Sequence, residues 1–596
     1  MAAQSDENKR SPLKAWVRAL ERTAPIDRHP ALTLPLLIGQ LAGRFGDAPA
    51  LASRERTLTY RTLGEAVNRY ARWGLDQGLG TGGVVCLVMK NCPDYMAIWL
   101  GLSQVGATVA LINTNLAGEA LAHCIDTVRP GHVISSPAFA EAVDAVRDRL
   151  APGVQRWVSG ACAGDAARLD AATATLSPEP LAQGSYAAPL LGDRALCIYT
   201  SGTTGLPKAA NVSHYRLMQW SHWFAGLIDV GPEDRMYNCL PMYHSVGGVV
   251  ATGATLVGGG TVVLRERFSA GGFWQDLTAE RCTLFQYIGE LCRYLLNGPP
   301  QEAETRHRLR LACGNGLRAD VWVPFQARFH IPQILEYYAA TEGNFSLYNC
   351  EGRPGAIGRI PPFLAHRLPV AVVKFDSGTG LPVRTADGRC VRCDTDEPGE
   401  AIGQILGNEG VSRFEGYTDA AASGRKVLRD VFTPGDAWYR TGDLMRRDAQ
   451  GFFYFVDRIG DTFRWKGENV STAEVAGVIG GSPGVTDVAV YGVAVPHADG
   501  RAGMAAVVVG QGFSLAGLRE TLGALPAYAR PLFLRILSAI EITGTFKLRK
   551  QELTAQGYDP ALTGGDAVYV EDAALKAYVP LSEALYETLK AGQLRL

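Results

Sequence analysis

A chain of 596 residues exceeds what one hydrophobic core supports, so at least two domains are expected. Lys plus Arg (58) and Asp plus Glu (59) nearly cancel, which leaves no global field to attract nucleic acid and disfavours it as a partner. With 47% apolar and 20% charged residues the composition is that of a globular protein, and the 12 scattered cysteines read as small core residues of a reducing compartment rather than as disulfides.

The first thirty residues carry charges throughout and lack the apolar core and cleavage site of a signal peptide, so 1–30 reads as a charged extension and export is not expected. Val84 to Met89 is a continuous apolar run suited to a buried strand, Pro93 opens a helix with Met96, Trp99 and Leu100 for packing, and Thr108 to Ile112 reads as the next strand. That β-α-β pattern returns at Thr261 to Leu264, Thr283 to Ile288 and Ile334 to Tyr338. Ala161 to Gly192 reads as a connection. The uncharged stretch Ser245 to Leu264 approaches the length of a membrane span, but Gly258, Gly259 and Gly260 favour a buried helix followed by a strand. Cys390 and Cys393 form a C-x-x-C without a second pair, in a polar hairpin. Near Gly451 the texture changes: Phe452 to Val456 is aromatic and apolar, Gly460 to Asn469 is polar, and Val485 to Val495 with Ala505 to Val509 suggests a small separate sheet. The expected fold class is α/β, with a boundary at Arg458 to Asp461.

The run from Tyr199 to Ala210 offers solvent little besides hydrogen-bond donors. Gly202 and Gly205 remove the Cβ atoms that would keep backbone N–H groups from a phosphate, Thr200, Ser201, Thr203 and Thr204 add hydroxyls, and Lys208 adds charge. A bland reading is a flexible turn. A Walker P-loop is excluded by spacing, since Leu206 and Pro207 stand between the last glycine and the lysine. The apolar run Ala195 to Tyr199 reads as the strand that feeds the loop.

Further motifs follow in a fixed order: Pro241-Met242-Tyr243-His244, Gly314-Asn315-Gly316-Leu317-Arg318, Tyr337-Tyr338-Ala339-Ala340-Thr341-Glu342-Gly343, Tyr439-Arg440-Thr441-Gly442-Asp443, Asp457-Arg458, Arg464 to Asn469 and Thr543 to Lys547. As a set they resemble the adenylate-forming superfamily of acyl-CoA synthetases, luciferases and peptide-synthetase adenylation domains. Ile112 to Leu116, Asp461 to Asn469, Gly500 to Met504 and the closing Thr-Phe-Lys are similar to the fatty acid transport protein and very-long-chain acyl-CoA synthetase branch. The resemblance runs from about Leu34 to beyond Lys550.

The resemblance implies a large N-terminal AMP-binding domain (31–457) and a small mobile α+β C-terminal domain (458–596). It implies ATP, coenzyme A and Mg²⁺ as cofactors, and a fatty acid that becomes an acyl-adenylate and then a thioester. Cations and N–H donors are needed where negative charge builds on phosphorus. By this resemblance residues 200 to 205 and Lys208 hold the β- and γ-phosphates, and Glu342 with Thr200 holds Mg²⁺. Thr341 shares the catalytic motif with Glu342. Gly314, Asn315, Gly316 and Tyr338 line the adenine pocket, Asp443 accepts from the ribose hydroxyls, and Arg458 helps hold ribose and phosphates. Lys547 brings an ammonium to the α-phosphate and the attacking carboxylate. Arg464 lies on the loop that serves the coenzyme A path.

Each assignment has a plainer alternative. Glu342 could be a helix cap, Asp443 a hairpin cap, and Lys547 part of a solvated basic tail. Thr545 and Phe546 stand between Gly544 and Lys547, where the superfamily places glycine directly before the lysine, and Lys550 is close enough to be the alternative ammonium. Ala339 stands where the commoner motif has glycine. Gly460 is the expected hinge, because glycine absorbs a large φ/ψ change, and Gly460→Pro is expected to spare adenylate formation while slowing thioester formation. Gly247, Gly248, Ala251 and Gly253 either leave an acyl channel open or permit close backbone packing. The ligase could instead serve a bile or aryl acid, or act chiefly in fatty acid uptake by metabolic trapping. The expected location is cytoplasmic, with peripheral contact at the inner face of a membrane and a homodimer both left open.

Overall fold

The computed structural model describes residues 12–161, 166–182, 184–200, 206–407, 413–466, 468–496, 498, 500–541, 548 and 550–593. Ser201, Gly202, Thr203, Thr204, Gly205 and Lys547 lie outside the described residues. Residues 1–368 and 404–428 form one compact unit, and residues 369–403 and 429–596 form a second.

Two sheets build the first unit. One runs Ser346–Asn349, Ile334–Ala339, Leu311–Asn315, Leu284–Ile288, Arg235–Asn238, Thr261–Leu264, Pro49–Ala52 and Thr57–Thr59, with parallel inner strands and antiparallel edges. The other runs Ala167–Arg168, Gln155–Val158, His132–Ser135, Val84–Val88, Thr108–Leu111, Arg194–Thr200 and Lys208–Ser213, parallel up to a closing antiparallel pair. Their strands are short apolar runs buried on both faces, as parallel strands covered by helices must be. Leu51, Val262, Leu87 and Ile198 from both sheets join one core with the helices Tyr60–Asp76 and Pro93–Gln104. Pro93–Gln104 is buried along nearly its whole length and so shows no amphipathic face. Its Gly101 lets it approach Tyr60–Asp76, since a Cβ there would fall 2.6 Å from the Tyr70 Cβ.

Two local findings alter the sequence reading. Within the charged extension the helix Pro12–Thr23 buries Trp16 and Ala19 against the helix His214–Leu227. Trp16 sits edge-on to Trp223 and Tyr348 at 5.9 and 5.6 Å, and Gly226 leaves no room for a Cβ beside Ala19. The stretch after His244 folds as a π-helical turn, Val246–Ala251, then the helix Thr252–Val257 and the strand Thr261–Leu264. A Cβ on Gly247 would lie 2.6 Å from the Pro241 carbonyl oxygen, and one on Gly248 would strike that of Met242. Of the two readings of these glycines, close backbone packing is the one these contacts support. Among the described residues no helix is long and apolar enough to cross a membrane.

In the second unit, Val370–Val373, Gly399–Gln404, Ala437–Arg447 and Val427–Arg429 share a sheet, with Phe453–Arg458 paired to Ala437–Arg447. Residues 369–403 and 429–457, which the sequence reading places in the N-terminal domain, group with residues 458–596 in this unit, and Asp457 accepts hydrogen bonds from Thr472 within it. A further sheet orders Val485–Ala494, Arg501–Val509, Phe533–Leu537, Ala567–Asp572 and Ala577–Pro580, with the helices Thr472–Gly480 and Leu515–Leu522 contributing to its core. The polar segment 460–469 carries an unanticipated hairpin, Phe463–Trp465 with Glu468–Val470.

Candidate active site

Thr200 ends one strand and Lys208 begins the next, and the two are register partners. Glu342 lies in the loop between Ile334–Ala339 and Ser346–Asn349, so it caps no helix. It is only 8% exposed, and the Tyr417 hydroxyl donates to its Oε1 at 2.8 Å. Thr200 hydrogen-bonds the same hydroxyl, and the Lys208 Nζ stands 5.8 Å from the Tyr417 ring centre. Burial first, then the Glu342 carboxylate, raises the Tyr417 pKa and keeps the phenol protonated as a donor. The ring thus links the lysine-bearing strand to the carboxylate.

Backbone bonds hold this cluster. Gly416 N–H donates to the Glu342 carbonyl (3.3 Å), Thr418 N–H to that of Ala209 (2.9 Å), and Asn211 N–H to that of Gly416 (2.9 Å). Arg216, 7% exposed, donates to the carbonyls of Thr341 (2.7 Å) and Arg413 (3.0 Å) and lies 3.8 Å from Glu415. Glu415 accepts from the Ser213 N–H and hydroxyl, and the Thr341 hydroxyl is 3.2 Å from that of Ser245. The sequence reading missed Tyr417, Arg216 and Glu415. Their partners lie 75 to 202 residues away along the chain, and each looks alone like an ordinary surface residue.

Gly314 and Asn315 end the strand Leu311–Asn315, and a Cβ on Gly314 would strike the Tyr287 carbonyl. Gly316 turns with φ +80°, a left-handed conformation that suits glycine. This places two successive N–H groups, of Gly316 and Leu317, on one oxygen of the fully buried Glu336 at 2.5 and 3.1 Å, while the Tyr287 hydroxyl donates to the other at 2.6 Å. Burial outweighs these three donors and pushes the Glu336 carboxyl up to about 8. A raised carboxyl contributes stability that is fully present below its ordinary 4.5 and lost as pH climbs through about 8. Urea midpoints of the native protein should therefore fall between pH 5 and pH 8 relative to those of Glu336→Gln; parallel profiles would refute this. The Asn315 Oδ1 is buried and accepts no hydrogen bond among the described residues, and the half-buried Tyr338 ring stands edge-on to Phe345 at 5.6 Å.

In the second unit Asp443 and Arg458 are register partners on paired strands, with Nε 3.7 Å from Oδ1. Asp443 lies mid-strand and 8% exposed, so it is no hairpin cap. Arg464 is exposed on the 463–470 hairpin, whose Asn469 Oδ1 accepts from Ser377 at 2.5 Å. Among the described residues no three of His, Cys, Asp and Glu are grouped as metal ligands. Glu342 with the Thr200 hydroxyl offers one carboxylate and a hard neutral oxygen, a donor set that fits Mg²⁺ completing its shell with phosphate and water oxygens.

The fold and these residues define a class, the AMP-binding enzymes: the family model "AMP-binding enzyme" matches residues 40–406, and "AMP-binding enzyme C-terminal domain" matches 474–547. The fold is that of ATP-bound MatB from Rhodopseudomonas palustris, with a TM-score of 0.73 at 23% identity, covering 89% of this chain and 100% of that one. Long-chain fatty acid transport protein 1 of Mus musculus is 41% identical over 573 residues, 95% of this chain and 88% of the relative. The medium/long-chain-fatty-acid–CoA ligase FadD6 of Mycobacterium tuberculosis is 37% identical over 557 residues, 93% and 90% of the two chains. The chain belongs to the AMP-binding enzyme family, in the branch that holds the long-chain fatty acid transport proteins.

Proposed function

We propose that this protein joins a long- or very-long-chain fatty acid to coenzyme A, first as an acyl-adenylate with release of pyrophosphate, then as a thioester with release of AMP. The observation that supports the fatty acid half is a pocket inside the first unit, partly open to solvent. One wall is the loop that bears Thr341 and Glu342, through Ala339, Ala340 and Gly343; the other walls include Leu20, Trp220, Trp223 and Leu364. Leu20, Trp220, Trp223 and Leu364 offer an alkyl chain apolar contact, Arg216, Gln219, Arg367, Arg413 and Glu415 make other parts of the lining polar, and the shared loop brings a carboxylate toward Glu342.

In this reading Lys208 and the 200–205 run hold the β- and γ-phosphates, and Mg²⁺ on Glu342 and Thr200 offsets their charge. The Gly314–Gly316 turn and Tyr338 bound the adenine, and the buried Asn315 Oδ1, which has no partner among the described residues, suits its amino group. Asp443 and Arg458 take the ribose. Lys547 serves adenylation, and Arg464 lies toward coenzyme A. The mobile part begins at residue 458, hinged at Gly460, whose φ is +104° with open space around its Cα. Proline cannot adopt that angle, so Gly460→Pro excludes this conformer. The half-reaction that uses it should slow while the other persists, and equal loss of both would end the hinge assignment. Leu13 and Val17, 55% and 40% exposed on the helix that gives Leu20 to the cavity, offer apolar surface for peripheral contact with a membrane; the inner face and a cytoplasmic location rest on the resemblance. A homodimer rests on the resemblance alone.

Pyrophosphate release across a panel of carboxylic acids, with and without coenzyme A, tests the function. Long-chain acids should lead; a maximum on aryl or bile acids would replace the substrate, and release that no acid stimulates would remove the ligase. Gln219 lines the cavity from the helix His214–Leu227, so Gln219→Trp should shift the profile to shorter acids. Each methylene left unburied forfeits about 0.8 kcal/mol, and an unchanged profile would place the chain elsewhere.

A further inference from the structure

Lys550 opens the helix Lys550–Gln556, three residues beyond Lys547. Its Nζ donates to the Asp461 Oδ2 at 3.2 Å and to the Thr472 Oγ1 at 3.1 Å. Asp461 is the residue directly after Gly460. Thr472, 1% exposed, begins the helix Thr472–Gly480 and donates from its N–H (2.5 Å) and hydroxyl (3.1 Å) to Asp457, itself 2% exposed. Asp457 also accepts from the Arg458 N–H at 2.8 Å, so one network joins the strand entering the hinge, the residue leaving it and the start of the last-quarter helix. Burial raises the Asp457 pKa and the Lys550 charge opposes that rise. A lysine with two side-chain partners and a buried carboxylate behind them is not a solvated tail. In this conformer its ammonium is held on these two partners.

We propose that Lys550 is a positioning residue of the adenylation step: it fastens the chain just beyond Lys547 to Asp461 and Thr472, both on the C-terminal side of Gly460, so that the Lys547 segment turns with them about the hinge. This rests on the reading of Lys547 as the adenylating ammonium and of Gly460 as the hinge. It separates two lysines that spacing alone leaves interchangeable. A 1 Å misplacement of a reacting group can cost about 10²-fold in rate, so loosening this tie should be felt at the chemistry.

The test measures two half-reactions on the full chain: exchange of labelled pyrophosphate into ATP, and conversion of supplied acyl-adenylate to acyl-CoA. Lys550→Met should lower exchange by about 10- to 100-fold with little change in the KM for ATP. It should lower thioester formation less, whereas a merely structural lesion would depress both together. Lys550→Arg should restore most of the exchange. Asp461→Asn should reproduce the loss, and the double variant Lys550→Met/Asp461→Asn should be no worse than the poorer single one. Native exchange in Lys550→Met, equal loss of both half-reactions, or multiplying losses in the double variant would overturn the proposal while leaving Lys547 in place. If Lys547→Ala exchanges at the native rate while Lys550→Met is inactive and Arg does not rescue it, Lys550 is itself the ammonium, and both readings fall.

Discussion

Glu342→Gln is expected to lower pyrophosphate exchange by about 10²-fold or more, because the amide keeps the size of the carboxylate but not the charge that binds a divalent cation. The side chain is buried and its Oε1 accepts from Tyr417, so the substitution alters charge at a site already formed by packing. Fatty acid affinity should hold, since the cavity touches this loop through Ala339, Ala340 and Gly343. Tyr417→Phe isolates the orienting role: it removes one donor to the carboxylate and should cost about 10- to 100-fold, as loss of an outer-shell partner commonly does. Raising Mg²⁺ should recover part of the activity of Tyr417→Phe and little of that of Glu342→Gln. Full exchange in Glu342→Gln would move the metal to other oxygens.

Lys547→Ala is expected to abolish exchange to a comparable or greater degree while leaving thioester formation from supplied acyl-adenylate near the native rate. Two anions must meet in the first step, and a cation placed between them acts only where charge develops. In the second step the phosphate already belongs to the leaving group. A protein lacking this lysine that still exchanges pyrophosphate at full speed would cancel the assignment.

Much of the N-terminal architecture was legible because parallel strands buried on both faces appear as short continuous apolar runs. Thr261–Leu264 matches its run residue for residue, and Val84–Val88, Thr108–Leu111 and Leu284–Ile288 fall within one residue at an end. The helix Pro12–Thr23 is strongly amphipathic, with Ala15, Trp16, Ala19 and Thr23 on its buried face; that periodicity is present in the sequence, and reading 1–30 as a charged extension misses it because charges fill the other face. The 463–470 hairpin turns between Trp465 and Glu468, with Lys466 at φ +52°; the glycine signal, Gly467, is present in the sequence, but the two strands are only three residues each and carry charge, so no alternating apolar run marks them. At the site, residues grouped in one motif, such as Thr341 with Glu342, could be read as a unit. Tyr417, Arg216, Glu415 and Glu336 could not, since what each does depends on a partner reached only through the fold.

The chain passes from one compact unit to the other three times, at 368/369, 403/404 and 428/429, before its final run to the C-terminus. Residues 404–428 are therefore a short return visit, and that visit delivers Tyr417. Recombination between relatives has to respect this itinerary. A hybrid enzyme joined at position 404 would pair the Glu342 of one parent with the Tyr417 of the other, whereas a junction after 428 keeps both from a single ancestor.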